Sequence, residues 1–179
     1  RMLFESPSAS DVALESPLVH APGSFFAYSS GTTNLLAWLV YERLGANVQS
    51  QMNFFAREIS APLALEVTTL ELDASGVVVG SSFVYASARD WARFGQLLLD
   101  GGQINGQRLL DADWVSRATR PNLSGNDPRY GYQLWLNGGG RELRWPSLPA
   151  DAYAMQGNRS QVVMLLPSLR AIVVRLGWS

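Results

Sequence analysis

The sequence predicts an α+β protein, a mainly helical region over 1–120 followed by antiparallel strands over 121–179. Three observations carry that prediction. Segments of helical length, each bounded by capping and stopping residues, recur as far as Arg120. Beyond Pro121 the pattern changes to short runs rich in Val, Ile, Leu, Tyr and Trp. Near the end, Pro167-Ser-Leu-Arg170 joins two aliphatic runs in hairpin fashion. No internal repeat, low-complexity tract or inter-domain linker divides the chain, which reads as a single domain.

The elements follow in order. Residues 1–24 hold two Ser-Pro pairs and Pro22-Gly23, and read as loop with at most a short helix. Leu35–Leu44 is apolar nearly all round, which predicts a helix buried on most sides. Ser30 or Thr32 can cap it, and Gly45 is placed to stop it. A second helix spans 48–59 with Val48, Met52, Phe55 and Ile59 on one stripe, ended by Pro62. Residues 63–86 alternate weakly, contain Val77-Val78-Val79 after Gly76, and read as loop with one or two short strands. Ser87-x-x-Asp90 has the form of a capping box for a helix to Leu99 that turns Trp91, Phe94 and Leu98 inward. Asn105-Gly106 suits a tight turn, and a short helix starts at Asp111. Tyr130–Leu136 reads as one strand. Gly138-Gly-Gly140 and a proline-bearing loop follow. Gln161–Leu166 and Ala171–Leu176 are aliphatic at consecutive positions, as strands covered on both faces are.

Composition excludes much chemistry. The hydrophobic share of 47% against 16% charged residues fits a globular chain rather than a disordered one. A net charge of −1 without charge blocks gives no nucleic-acid groove, and no apolar run approaches the ~18 residues of a membrane span. All 14 basic residues are Arg; there is no Lys, no Cys and one His, His20, in a proline-flanked loop. A thiolate nucleophile, a disulfide framework, a Cys/His zinc site and a lysine Schiff base are therefore absent from this chain. The opening Arg1-Met-Leu-Phe lacks a signal peptide and suggests upstream sequence.

Two segments can carry chemistry. In Tyr28-Ser29-Ser30, a tyrosine can relay a proton beside hydroxyls at a helix start; equally, the serines cap the helix and Tyr28 is an aromatic at the core edge. In Gly157-Asn158-Arg159-Ser160-Gln161, a turn into a strand can present a backbone N–H to an oxyanion; equally, it is a polar hairpin turn. Ser87-x-x-Asp90 and Asp111 are explained structurally. Tyr130-Gly-Tyr-Gln-Leu-Trp135 either lines a substrate groove or packs a core.

Taken together the segments resemble the serine β-lactamase and penicillin-recognising family, in its class C-like branch of esterases and amide hydrolases. Pro22-Gly-Ser-Phe-Phe-Ala-Tyr-Ser-Ser30 resembles Pro-Gly-x-x-Phe-x-Tyr-Ser-Asn, the second active-site motif. Ile59-x-x-Pro-Leu63, Ser87–Gly102, Asn105-Gly106 and Tyr130-Gly-Tyr132 resemble family segments in the same order. Gly157-x-x-Ser-Gln161, Pro167 and Val173-Val-Arg-x-Gly177 resemble the ending of the branch near the amino-hexanoate oligomer hydrolases. The resemblance implies the C-terminal part of a catalytic domain that needs no metal or cofactor and acts on a small ester or amide through an acyl-enzyme. It assigns Tyr28 as the catalytic tyrosine, the Gln161 backbone N–H as an oxyanion donor, and Ser30 and Asn158 as substrate-binding positions. It is compatible with a bacterial periplasmic or secreted location, which the sequence itself leaves unknown.

Three departures qualify these expectations. The Ser-x-x-Lys nucleophile motif is absent, and with no Lys it cannot be hidden. Asn158-Arg159-Ser160 stands where His-x-Gly or Lys-Thr-Gly is usual, which removes a cation and replaces a glycine. Ser30 replaces an Asn. These changes suit an esterase or non-lactam amidase better than a β-lactamase, or a non-catalytic binding member of the fold. A missing N-terminal segment or a companion chain is expected to complete the sheet.

Overall fold

The computed structural model describes residues 2–177. They form two compact units. The first comprises 2–20, 27–61 and 65–86; the second comprises 21–26, 62–64 and 87–177.

The first unit contains helices α1 (Ala9–Leu14), α2 (Ser30–Arg43) and α3 (Val48–Phe55), a π-helical turn over Ala56–Ser60, and the strand pair β1 (Thr68–Leu70) and β2 (Val84–Ala86). α1 packs on α2. The α2 C-terminus shows why Gly45 is needed. Its φ is +83°, and the N–H groups of Gly45 and Ala46 return to the carbonyls of Glu42 and Tyr41, closing a left-handed cap. Two buried amides fasten the loops. Asn34 accepts from the Ser81 N–H at 3.2 Å, while Gln51 donates to the Gly76 carbonyl and accepts from the Val78 N–H, both at 3.1 Å. Val77 and Val79 are buried in a loop with a bridge between Leu72 and Val78, and β1 and β2 are the two short strands within 63–86.

The expected all-round burial of α2 is not observed. Leu36, Leu39 and Val40 remain 44–50% exposed, and only Gly31 and Asn34 are buried. An apolar segment without periodicity specifies that a helix face wants cover, not that the described residues supply it.

The second unit pairs α4 (Ala88–Leu99) with an antiparallel sheet. Its other elements are β3 (Gln103–Ile104) and β4 (Gln107–Arg108), α5 (Ala112–Ala118), and strands β5 (Trp135–Leu136), β6 (Tyr153–Gly157), β7 (Gln161–Leu166) and β8 (Ala171–Arg175). The sheet order is β5-β6-β7-β8, so β8 is an edge strand among the described residues. α4 lies on β7 and β8. Trp91, Phe94 and Leu98 face the core, against Leu165, Val163 and Tyr153. Gly95 permits the close approach: a Cβ there would sit 3.2 Å from Ile172 and 3.3 Å from Val163. At the α4 start, Ser87 Oγ accepts from the Asp90 N–H at 3.1 Å and donates to the Asp90 carboxylate at 2.8 Å, and Arg93 closes the fully buried charge at 3.0 Å. This is the structural role expected of Ser87-x-x-Asp90.

Two expectations in the β-rich part change. Tyr130–Leu136 is not one strand. Gln133 takes a left-handed φ of 60°, the Gly131 N–H bonds the Leu134 carbonyl, and Tyr130 bridges back to Trp135. The segment therefore folds on itself, leaving β5 only two residues long. Conversely β6 lies in a stretch without strand signal, supported by pairing on both sides. The intervening loop is organised by Asn137, which is fully buried. Its amide donates to the carbonyls of Trp145, Leu148 and Pro149 and accepts from the Trp145 N–H.

Candidate active site

In the first unit, Tyr28 and Ser29 lead into α2, Ser29 on extended backbone. Ser29 is the N-cap, as the reading of these serines as helix caps allows, rather than Ser30 or Thr32: at φ −145° and ψ 133° its Oγ accepts from the Gly31 N–H at 3.1 Å. Ser30 is the first helical residue and exposed. Tyr28 stands one residue ahead of the cap with its ring 62% exposed, and so is not a core aromatic. The first turn of α2 holds no acidic side chain, so the positive end of the helix dipole is not offset from within the helix.

In the second unit, Asn158 and Gln161 belong to one turn. Gly157 closes β6 and pairs with Gln161, which opens β7, and 158–160 form a single tight turn between them. Both Arg159 and Ser160 are left-handed, at φ 59° and 62°. Three contacts from the end of β8 hold this path. Arg175 Nη1 donates to the Ser160 carbonyl at 2.9 Å, the Gln161 side-chain amide donates to the Gly177 carbonyl, and the Gly177 N–H donates back at 3.0 Å. The polar hairpin reading of this segment is thus correct as geometry. A backbone N–H presented at such a turn is also the element an oxyanion site uses. Arg175 and Gly177 were not singled out for this bracing by sequence; only the order Val-Val-Arg-x-Gly pointed at them.

The remaining candidates fall out. His20 is exposed in a bend. Asp111 is the α5 N-cap, accepting from the Asp113 N–H at 2.7 Å and the Trp114 N–H at 3.3 Å. Burial, with the Asp151 carboxylate second, pushes the Tyr153 phenol up to about 12, which keeps it neutral in the core. The Tyr130–Trp135 aromatics divide: Tyr130 is 8% exposed and packed, while Tyr132 is 49% exposed. Among the described residues no group of His, Cys, Asp and Glu is arranged to hold a metal ion, and no helix is long and apolar enough to cross a membrane.

Capped helices beside an antiparallel sheet, with a Tyr-Ser-Ser helix start and a tight polar turn into β7, define a β-lactamase-like hydrolase fold. The model of the Beta-lactamase family matches residues 4–176, and the chain belongs to that family. A 6-aminohexanoate-dimer hydrolase from Paenarthrobacter ureafaciens is 32% identical over 91 residues, 50% of this chain and 22% of that protein. A candidate 6-aminohexanoate-dimer hydrolase from Bacillus anthracis superposes with a TM-score of 0.74 at 25% identity, over 92% of this chain and 41% of its own. A β-lactamase from Mycobacterium bovis, 16% identical, superposes with a TM-score of 0.68 over 87% of this chain and 57% of its own, and shares the fold alone. The chain thus spans less than two thirds of the length of each of these proteins.

Proposed function

We propose that this chain is part of a serine hydrolase that cleaves ester or amide bonds through an acyl-enzyme. One observation carries the reading: Tyr28 is an exposed phenol immediately before the cap of α2, whose first turn has no carboxylate. A tyrosine so placed, beside hydroxyls at a helix start, can take and return a proton. A serine Oγ attacks the carbonyl carbon, and its proton passes to the Tyr28–lysine pair. Collapse breaks the C–O or C–N bond while Tyr28 protonates the leaving group. Water then attacks the acyl ester, releasing the acid and restoring the serine. The Gln161 N–H is one oxyanion donor, and Ser30 and Asn158 contact the substrate. With no cation at Asn158, a linear amide or an ester suits the site better than a β-lactam.

The serine and lysine of Ser-x-x-Lys come from polypeptide outside this chain, which contains no Lys. The same polypeptide would pair with the open edge of β8 and cover the exposed face of α2. A serine-reactive fluorophosphonate tests the reading. Protein that carries the Ser-x-x-Lys segment should label and turn over small esters. Tyr28→Phe should lower turnover about 10²- to 10⁴-fold, the scale of general acid–base catalysis. The 179-residue chain alone should not label. Stoichiometric labelling of that chain at a serine would refute the assignment of the nucleophile. The altered turn Asn158-Arg159-Ser160 favours a second reading, a non-catalytic binding member of the fold. It takes precedence if the complete gene product has no Ser-x-x-Lys.

A further inference from the structure

The second unit contains a cleft of about 440 Å³ that includes none of Tyr28, Ser30, Asn158 or Gln161. That volume lies within the range of small-molecule sites. Its wall is aromatic and pre-formed. The Phe26 ring lies 4.8 Å from Tyr130, which in turn meets Trp135 edge-on at 4.8 Å. Asn126 fixes Phe26 by a reciprocal pair of bonds, accepting from its N–H at 2.9 Å and donating to its carbonyl at 2.8 Å. Tyr132, half-exposed on the opposite side of the Gly131 turn, is propped edge-on by Trp114 at 6.0 Å. Little ordering therefore remains for a ligand to impose.

The rim is cationic. Arg117 ends α5 and Arg120 follows it, and both line the cleft. Arg120 donates to Ser116 Oγ at 3.1 Å, and neither guanidinium has a carboxylate partner among the described residues. The lining contains no Asp or Glu. Asp127, farther along the same loop, is taken up by Arg129 and Arg144, each at 3.3 Å. Two arginines without a carboxylate partner and an aromatic wall lining one cleft match one ligand chemistry: a carboxylate for the guanidinium forks and a flat or aliphatic body for the wall.

We infer that this cleft binds a small monocarboxylate with an aryl or short alkyl body, its carboxylate held by Arg117 and Arg120 and its body laid against Phe26, Tyr130 and Tyr132. The inference stands apart from the hydrolytic reading, and its test needs no turnover. The purified protein is titrated with 4-phenylbutyrate by calorimetry, and with 4-phenylbutanol as the uncharged counterpart. Saturable one-to-one binding is expected, weakened by salt. Affinity should fall roughly tenfold or more for the alcohol, and for the acid with Arg117→Gln/Arg120→Gln, as loss of a charge-assisted pair requires. Tyr132→Ala should weaken acid and alcohol alike. No saturation by ~10 mM, tenfold weaker than a millimolar site, would overturn the inference. So would equal affinity for acid and alcohol. If the double arginine variant does not fold, the acid–alcohol comparison on the unaltered protein decides.

Discussion

Ser160→Gly should stabilise the protein. Ser160 follows Arg159 in a left-handed pair, at φ 62° after 59°. In that region a Cβ crowds the following carbonyl at roughly 1–2 kcal/mol per residue. Glycine removes this cost but adds freedom to the unfolded chain, which offsets about 0.4–1 kcal/mol. No other interaction is lost, since the Ser160 hydroxyl makes no hydrogen bond among the described residues and the carbonyl that accepts from Arg175 is unchanged. The net gain is about 0.5–1 kcal/mol. With an unfolding entropy of about 2.1 cal/mol/K per residue, the melting temperature should rise by roughly 1–3 °C. Ser160→Ala is the control: it deletes the hydroxyl and keeps the Cβ, so it should gain nothing. Urea titrations followed by tryptophan fluorescence measure both. If the glycine variant is no more stable than the alanine variant, the turn is not strained and the reasoning fails.

Three further outcomes follow from the same structure. Asn137→Ala should cost roughly 1–3 kcal/mol in urea unfolding, because it leaves the half-buried carbonyls of Trp145, Leu148 and Pro149 and the Trp145 N–H without their partner; an unchanged midpoint would show that the loop re-pairs without it. Ser87→Ala should cost about 1 kcal/mol, the scale of a lost N-cap, and circular dichroism should show the loss in thermal unfolding. At Asp127, burial pushes the carboxyl up, but the Arg129 N–H and guanidinium and the Arg144 charge outweigh it and hold it below its ordinary value. A depressed folded-state value stabilises above the unfolded value near 3.9 and is lost as pH falls through the folded one. Asp127→Asn should therefore be less stable than the parent at neutral pH, with the difference shrinking below about pH 4.

Where local chemistry has one solution, the fold was legible. Ser87 with Asp90, the Trp91-Phe94-Leu98 stripe and the left-handed stop at Gly45 each specify a helix end or face without reference to distant residues. The strands at 161–166 and 171–175 were legible because consecutive aliphatic residues suit little else at that length. β6 was not, because Tyr-Ala-Met-Gln-Gly has no alternation and its strand state is set by neighbours paired on both sides. The self-folding of 130–135 was hidden because Gln133, an ordinary residue, supplies the left-handed turn. In the candidate site, the helix start after Tyr28 was legible and Ser29 was among the serines read as caps, but which oxygen caps it was not. Ser29, Ser30 and Thr32 all carry a suitable oxygen, and only the backbone path selects Ser29. The left-handed pair at Arg159 and Ser160 had no signal at all, since neither residue type favours it.

That pair also bears on how the third motif differs from its relatives. Consecutive left-handed non-glycine residues persist only where their surroundings over-determine the backbone. Here the surroundings are the Gly157–Gln161 pairing, the Arg175 bond to the Ser160 carbonyl, and the two-way bond between Gln161 and Gly177. The first two hold main-chain atoms at and around Ser160, the third holds the Gln161 side chain to the Gly177 backbone, and none uses the Ser160 side chain. A serine where the resemblance expects glycine therefore lowers stability while leaving the tight path into β7 in place. The Cβ costs energy at this position; it does not open the turn. On the proposed function, a change in the substrate accepted would arise within this turn at Asn158, where an amide stands in place of an expected imidazole or ammonium group, and outside it at Ser30. An uncharged amide can donate to a carbonyl or hydroxyl but cannot offset a full negative charge. On the proposed function, stability and recognition thus depend on two different positions in one turn. Ser160→Gly should raise stability without changing which substrates bind, and Asn158→His should change recognition with little effect on the melting temperature.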